Sequence, residues 1–88
     1  MLVDDSVMPN RSPIHAGNRV LRKLGGVIRA ERTNQGFSQE EFAWAAGIDR
    51  SYYGAIERGE NNVTVLNLLK ISEGLGLSVS EIFIRAKL

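Results

Sequence analysis

The sequence predicts an all-α fold, a compact domain of five short helices, and three observations support this. Apolar residues recur at three- and four-residue spacings from about residue 18 onward, which is the period of helices that face a core. Two capping-box patterns, Ser38 with Glu41 and Ser78 with Glu81, mark helix starts. No segment alternates polar and apolar residues for long enough to indicate a strand.

The first two helices follow from their apolar period and their terminal residues. Helix 1 is predicted from about Asn18 to Gly36, since glycine commonly ends helices. Its inward positions are Val20, Leu21, Leu24, Val27, Ile28 and the stem of Arg32. Helix 2 begins at the cap Ser38 and ends at Gly47, and Phe37 is placed to pack against it as a hydrophobic staple.

The last three helices are predicted in the same way. Asp49 is a good N-cap for helix 3, which Gly59 ends, and Thr64 caps helix 4. The inward positions of helix 4 are Val65, Leu68, Leu69, Ile71 and Leu75. Helix 5 begins at Ser78, and connections of only a few residues make the five helices one compact domain.

Length and composition exclude several classes of function. The 88 residues suffice for one small domain, so no separate sensor domain is expected. Residues 1–17 hold both prolines and show no periodicity, which predicts an N-terminal arm or tail before a domain at 18–88. With no cysteine and a single histidine, His15, neither a metal site nor a cofactor is expected. The short apolar runs and the acidic start predict a soluble cytoplasmic protein.

Positive charge is concentrated in one region although the net charge is only +1. No acid occurs between Asp5 and Glu31, while five cations fall there: Arg11, Arg19, Arg22, Lys23 and Arg29. Such a basic stripe suggests a local anionic partner, although a solvated helix face explains it equally well.

Helices 2 and 3 are joined by a tight turn at "AAGI", where Gly47 supplies a residue without a Cβ. The small Ala43 and Ala46 allow the two helices to cross closely, so the spacing alone predicts a helix-turn-helix. In that motif, the first residues of the second helix contact base edges in the major groove of DNA.

Helix 3 carries a flat face of polar or small residues at Arg50, Ser51, Gly54, Ala55 and Arg58. Tyr53 and Ile56 point the opposite way, toward the core, with the Tyr53 hydroxyl expected at its edge. Glycine inside a helix costs about 1 kcal/mol relative to alanine, which a surface that must lie against something large can tolerate. Arg50 lies in the first turn, where the helix dipole disfavours a cation. A guanine base would explain its position, because arginine bonds guanine O6 and N7.

The stretch "SQEEFAWAAGIDRSYYGAIERG", with "LGGVIRAERTNQGF" before it and "LLKISEGLGLSVSEIF" after it, resembles the phage-repressor and Cro class of helix-turn-helix proteins, the XRE family. The similarity covers about residues 19–84. Within the family, "DRSY" followed by "IERGENNVT" is most similar to the controller proteins of restriction-modification systems. The resemblance implies a lambda-repressor-like DNA-binding domain that regulates transcription.

The resemblance also implies roles for individual residues. The base-contacting set is Arg50, Ser51, Tyr52 and Ala55. The set that contacts the DNA backbone is Gln39, Arg58 and Asn62. Gln39 is also implied to help fix Arg50, and Arg32 and Glu57 match a pair that forms a buried salt bridge between helices 1 and 3. Relatives carry longer side chains at Gly54 and Ala55, so specificity here is expected to depend on fewer contacts.

Several of these residues have plain structural explanations as well. Gln39 and Ser51 are ordinary early-helix residues, Arg50 is compatible with a solvated surface, and Tyr52 is placed equally well for packing. Catalysis is not expected at Glu57, because Arg32 accounts for its charge and no nucleophile or general-base partner is present. The sequence therefore predicts a protein that is not an enzyme.

Trp44 and helix 5 carry more apolar surface than one small core accounts for. Trp44 is expected to be at least partly exposed unless the N-terminal arm, a dimer partner or the DNA backbone covers it. In helix 5, Ile82, Phe83 and Ile84 are consecutive, so they span about 200° of the helix and cannot all face one core. The predicted homodimer interface is Ile82, Phe83, Ile84 and Leu88, and the alternative is a terminal helix that merely covers helix 1.

These observations predict a sequence-specific regulator that binds a pseudo-palindromic DNA operator as a homodimer. Helix 3 of each protomer would enter successive major grooves, about 34 Å apart. The alternative is a protein-interaction module on the same fold, antitoxin-like or an adaptor, which binds its partner through Trp44 and helix 5. In that case Arg50→Ala would be silent.

Overall fold

The computed structural model describes residues 18–88, so the predicted arm at residues 1–17 lies outside the described residues. The helices are, in order, α1 (Arg19–Asn34), α2 (Gln39–Ala46), α3 (Arg50–Glu57), α4 (Val65–Leu75) and α5 (Val79–Arg85). This part of the chain contains no strand, and the all-α prediction is confirmed. None of the described helices is long and apolar enough to cross a membrane.

Every described helix begins at a polar cap, and the sequence predicts all of these caps except Asn18. The side chains of Ser38 and Ser78 form complete capping boxes with Glu41 and Glu81. The remaining caps are Asn18 on α1, Asp49 on α3 and Thr64 on α4. The staple before α2 is also present, because the Phe37 ring lies edge-on to Phe42, with 6.0 Å between the ring centroids.

The helices pack around one core to which each contributes. α1 lies against α3, α4 and α5, and α2 lies against α3 and α4. The largest fully buried side chains are Tyr53, Phe42, Ile28, Ile71 and Ile82. α1 approaches α3 very closely at Gly25, where an added Cβ would lie 2.4 Å from the carbonyl oxygen of Ile56. This close contact fixes the second half of α3, so its first turn projects from a rigid support.

The structure corrects several predicted inward positions. Val65 is 75% exposed, and Leu69 and Val20 are exposed as well. α4 turns only Leu68, Ile71, Ser72 and Leu75 into the core. The apolar stripe of α4 is therefore wider than the face that its neighbours cover, and periodicity alone could not show where the covered face ends.

Ile82 is also corrected, because it is completely buried in the core rather than part of a surface. α5 packs against α1 and α4, and only one of three consecutive residues can point into that contact. Phe83, Ile84 and Leu88 stay exposed, so only these members of the predicted dimer set are available to a partner.

Candidate nucleic-acid interface

The turn between α2 and α3 sets the direction of the second motif helix. Gly47 has φ of 72°, in the left-handed region that favours glycine, and ends α2. The buried Ile48 donates its backbone N–H to the Ala43 carbonyl at 2.9 Å. Asp49 then caps α3 by accepting a hydrogen bond from the Tyr52 backbone N–H at 3.1 Å. Arg50 and Ser51 are consequently the first two residues of α3, as the sequence predicts.

Glu57, at the end of α3, is the centre of a buried polar network. Arg32 of α1 donates to both of its carboxylate oxygens, from Nε at 2.7 Å and from Nη2 at 3.0 Å. The third nitrogen of the guanidinium, Nη1, donates to the Phe37 carbonyl at 2.6 Å. This bidentate ion pair, which the resemblance implies, ties α1 to α3 and to the loop before α2.

Two further residues donate to the same carboxylate. Gln39 Nε2, from the first residue of α2, donates to Glu57 Oε1 at 2.8 Å, and the Tyr53 hydroxyl donates to Oε2. The Tyr53 hydroxyl therefore does not reach the edge of the core as predicted, because Glu57 one turn later supplies a buried acceptor. The four-residue spacing of Tyr53 and Glu57 is the signal that could have revealed this bond.

The network holds its members in fixed charge states. Burial raises the pKa of Glu57, but hydrogen bonds from Arg32, Tyr53 and Gln39 outweigh it, so the net pKa lies below the ordinary value. The hydrogen bond to Glu57 raises the pKa of Arg32, and burial raises the pKa of Tyr53 strongly. Glu57 is thus an ionised acceptor and Tyr53 a neutral donor. The arrangement is structural and positions all three helices of the motif region.

The first turn of α3 presents an exposed polar surface. Arg50 and Ser51 are both exposed, while Tyr52 is partly buried and packs against the core. The Tyr52 hydroxyl donates to the Asn62 carbonyl at 3.0 Å, which ties α3 to the following loop. Asn62 itself is exposed, and this hydrogen bond places it beside the first turn of α3.

Ala55 does not lie on that surface. It is 7% exposed, and Gly54 beside it is buried as well, so the predicted flat face is not continuous from Arg50 to Arg58. We therefore remove Ala55 from the base-contacting set.

Arg58 remains exposed and has a partner that the sequence analysis missed. Its Nε donates to Glu60 Oε1 at 3.0 Å, in a pair whose two side chains are each about half exposed. The two residues are separated by a glycine at the helix end, where no periodic rule predicts a contact. A phosphate would compete with Glu60 for this guanidinium.

Trp44 is 85% exposed on the outer face of α2, as expected for a residue that nothing in residues 18–88 covers. It borders an open depression of about 750 Å³ that is also lined by Phe37, Ser38, Glu40, Glu41 and Ala45. The arm proposed to cover it lies outside the described residues. Within residues 18–88, no three His, Cys, Asp or Glu side chains lie close enough together to hold a metal ion.

Comparison with known proteins links this geometry to a family. Residues 28–82 match the sequence model of the family described as helix-turn-helix. Control protein C.MunI from Mycoplasma sp. is 47% identical over 74 residues, which is 84% of this chain and 90% of that protein.

Two solved structures are similar as well. The restriction-modification controller protein C.AhdI from Aeromonas hydrophila is 44% identical, with a TM-score of 0.70 over 72% of this chain and 96% of that one. The biofilm regulator SinR, solved in complex with DNA, is 34% identical, with a TM-score of 0.65 over 68% of this chain and 97% of that one. These relatives are controller proteins and regulators, which confirms the prediction of a non-enzymatic protein.

Proposed function

The chain belongs to the helix-turn-helix (XRE) family of DNA-binding transcription regulators, and from this premise we propose that it binds a pseudo-palindromic operator as a two-fold dimer. α3 of each protomer enters the major groove. Arg50, Ser51 and Tyr52 contact base edges, while Gln39, Arg58 and Asn62 contact the sugar-phosphate backbone. Because operator DNA is in the cytoplasm of a bacterial cell, the protein would act there.

The observation that carries this proposal is an exposed arginine at the start of a helix whose end is held by a buried polar network. Arg50 is the first residue of α3, and no ion pair of the described residues includes it. Four hydrogen bonds to Glu57, two from Arg32 and one each from Tyr53 and Gln39, hold the end of α3. A helix fixed in this way can present its first turn to DNA with little loss of conformational entropy on binding.

The basic residues of α1 support backbone contact beside α3. Arg19, Arg22 and Arg29 are exposed, and none of them is in an ion pair of the described residues. Exposed cations of this kind contribute affinity that is independent of sequence and that falls with salt concentration.

Selection of bound sequences from a random duplex pool tests the proposed function. We expect the protein to enrich a two-fold symmetric site whose half-sites are centred about 34 Å apart, one helical turn of DNA. Enrichment of a single half-site would contradict the dimer. Weak, salt-sensitive binding without any enriched sequence would contradict sequence-specific regulation.

Exposed apolar side chains on α4 and α5 support the dimer. On α5 and just after it these are Phe83, Ile84 and Leu88, and on α4 they are Val65, Leu66 and Leu69. Monomeric proteins rarely leave so many large apolar side chains exposed on neighbouring helices, and such surfaces usually bind another protein surface. A second copy of the chain would bury both sets around a two-fold axis.

Ile84→Glu is expected to weaken the dimer by at least about tenfold, because it removes apolar burial and places a carboxylate in each half of the interface. Ile84 is 71% exposed in the monomer, so the thermal stability of the monomer should change little. Sedimentation equilibrium measures the association constant. Val20→Glu, at an exposed apolar position on α1, is the matched control, and an Ile84→Glu protein that stays dimeric would contradict the interface.

The protein-interaction alternative is favoured by one observation, the almost complete exposure of Trp44 beside an apolar depression. Trp44→Ala separates the two functions. For the DNA-binding function we expect operator affinity to stay within about twofold of the wild type, since Trp44 lies on the outer face of α2. A loss of repression or activation in cells with unchanged operator affinity in vitro would instead favour a protein partner at Trp44.

A further inference from the structure

Gly54 occupies the place where two proposed backbone-contacting side chains converge. A Cβ added at this position would lie 3.2 Å from Arg58 Nη1 and 3.4 Å from Gln39 Oε1. Gln39 comes from the start of α2 and Arg58 from the end of α3, so they reach the same point from different helices. The hollow left by the missing side chain is therefore occupied by the polar ends of both residues.

We propose that Gly54 is a positioning residue for DNA binding, because its missing Cβ lets the Arg58 guanidinium lie on the same side of α3 as the Gln39 amide, where the guanidinium can bind a phosphate. This inference depends on the proposed function, since it assumes that Arg58 contacts a phosphate. It also accounts for a glycine inside a helix, a position where alanine would be intrinsically better.

Of the two side chains, Arg58 is the one that a methyl group would displace. Gln39 is held by its 2.8 Å hydrogen bond to Glu57, and Glu57 is itself held by its ion pair with Arg32. Arg58 has only the exposed pair with Glu60, and its side chain is about half exposed. A contact at 3.2 Å is tighter than ordinary van der Waals distance, so the guanidinium must shift away from residue 54 by a few tenths of an ångström.

Gly54→Ala is the test, and it should separate DNA affinity from stability. We expect a loss of affinity of about threefold or more at about 0.1 M salt, and the limit, loss of the Arg58 phosphate contact in both protomers, is about 60-fold. The slope of log K against log salt should become shallower by up to about 1.8, about 0.9 for each protomer. The ratio of operator to non-specific affinity should not change, because phosphate contacts carry no sequence information. Thermal stability should stay the same or rise.

Gly26→Ala is the matched control. Gly26 is also inside a helix, but no atom lies within 4 Å of an added Cβ there. This variant should gain helix stability and keep both the affinity and the salt slope of the wild type. A loss of affinity in Gly26→Ala would show that stiffer helices weaken binding in general, and this would overturn the assignment to Gly54.

A double-mutant cycle with Arg58→Ala distinguishes failure of the inference from failure of the proposed function. If Gly54 acts through Arg58, Gly54→Ala has no further effect in the Arg58→Ala background. If Gly54→Ala lowers DNA affinity as much in the Arg58→Ala background as in the wild type, the methyl group acts on DNA directly. A changed ratio of operator to non-specific affinity would mean the same, and either result would overturn the inference. Equally, a normal salt slope in Gly54→Ala beside a shallow one in Arg58→Ala would overturn the inference and leave the proposed function intact. A normal slope in Arg58→Ala would contradict its phosphate role, and the inference would fail with it.

Discussion

Glu57→Gln is expected to lower the free energy of unfolding by about 3–5 kcal/mol at pH 7, the usual cost of leaving one partner of a buried ion pair without the other. Arg32 would keep its charge in a site where its side chain is almost fully covered. A domain of this size has only about 5–15 kcal/mol in total, so the variant should be close to unfolding at 37 °C. Urea denaturation monitored by circular dichroism measures the difference.

The same carboxylate should make stability depend on pH in a defined direction. The pKa of Glu57 is lower in the folded protein than its ordinary value of 4.5. The contribution of Glu57 to the free energy of unfolding is therefore complete above about pH 4.5. It is lost as the pH falls through the lower pKa that Glu57 has in the folded protein. Glu57→Gln removes this part of the acid loss, so its stability should fall less steeply than that of the wild type. Some acid sensitivity remains in the variant, because two other carboxylates also have lowered pKa values. A hydrogen bond from Gln35 lowers the pKa of Glu31, and hydrogen bonds with Ser78 lower the pKa of Glu81.

Glu60→Gln is the matched control for charge removal, because the Glu60 ion pair with Arg58 is exposed. Exposed pairs contribute about 0–1 kcal/mol, so this variant should unfold almost as the wild type does. Equal stability of Glu57→Gln and Glu60→Gln at pH 7 would contradict the structural role assigned to the buried network.

Arg50→Ala is expected to have the second large effect. It should lower the preference for operator over random DNA and leave the stability of the fold unchanged. Each bidentate contact between arginine and guanine contributes about 1–3 kcal/mol of discrimination, and a dimer makes it twice. We expect operator affinity to fall by about 30-fold or more, while affinity for random DNA falls only by the loss of one charge in each protomer. Competition binding at fixed salt measures both quantities.

Lys70→Ala is the control for this variant, because it removes one exposed cation from α4 instead of α3. It should leave the ratio of operator to random affinity unchanged. If Arg50→Ala keeps the wild-type ratio as well, Arg50 is an ordinary surface charge, and the alternative module that binds through Trp44 gains support.

Helix starts and ends are predictable from this sequence because they depend on local chemistry. A serine with a glutamate three residues later satisfies the free N–H groups of a helix start whatever lies elsewhere in the chain, and both such pairs form complete boxes. The Phe37 staple and the glycine turn at Gly47 are local in the same sense. These signals suffice to give the order of the five described helices and most of their starts and ends, although α1 ends at Asn34, before the predicted Gly36.

Burial is less predictable because it depends on which neighbour covers each face. Val65 and Leu69 fit the apolar period of α4 as well as Leu68 does, yet no helix lies over them. Ile82 and Ile84 are equally apolar, and only the packing of α5 decides that Ile82 is buried. Ala55 is buried by packing in the folded domain, which the wheel of a single helix cannot represent.

The candidate site was predictable in part. Family resemblance brought Arg32 and Glu57 together, and the turn chemistry put Arg50 and Ser51 at the start of α3. The bond from Gln39 to Glu57 depends on how two helices cross, so no spacing within α2 could indicate it. The approach of Gln39 and Arg58 to Gly54 also depends on how α2 and α3 cross, so the sequence alone could not explain a glycine at this position.

The most direct test of base contact by Arg50 is a double perturbation of protein and DNA. Wild type and Arg50→Ala are each titrated with the selected operator and with operators in which one guanine per half-site is replaced by 7-deazaguanine, which lacks the N7 acceptor. We predict that at one such guanine the replacement weakens binding of the wild type by about tenfold and leaves Arg50→Ala binding unchanged. Equal weakening of both proteins at every guanine tested would contradict the contact.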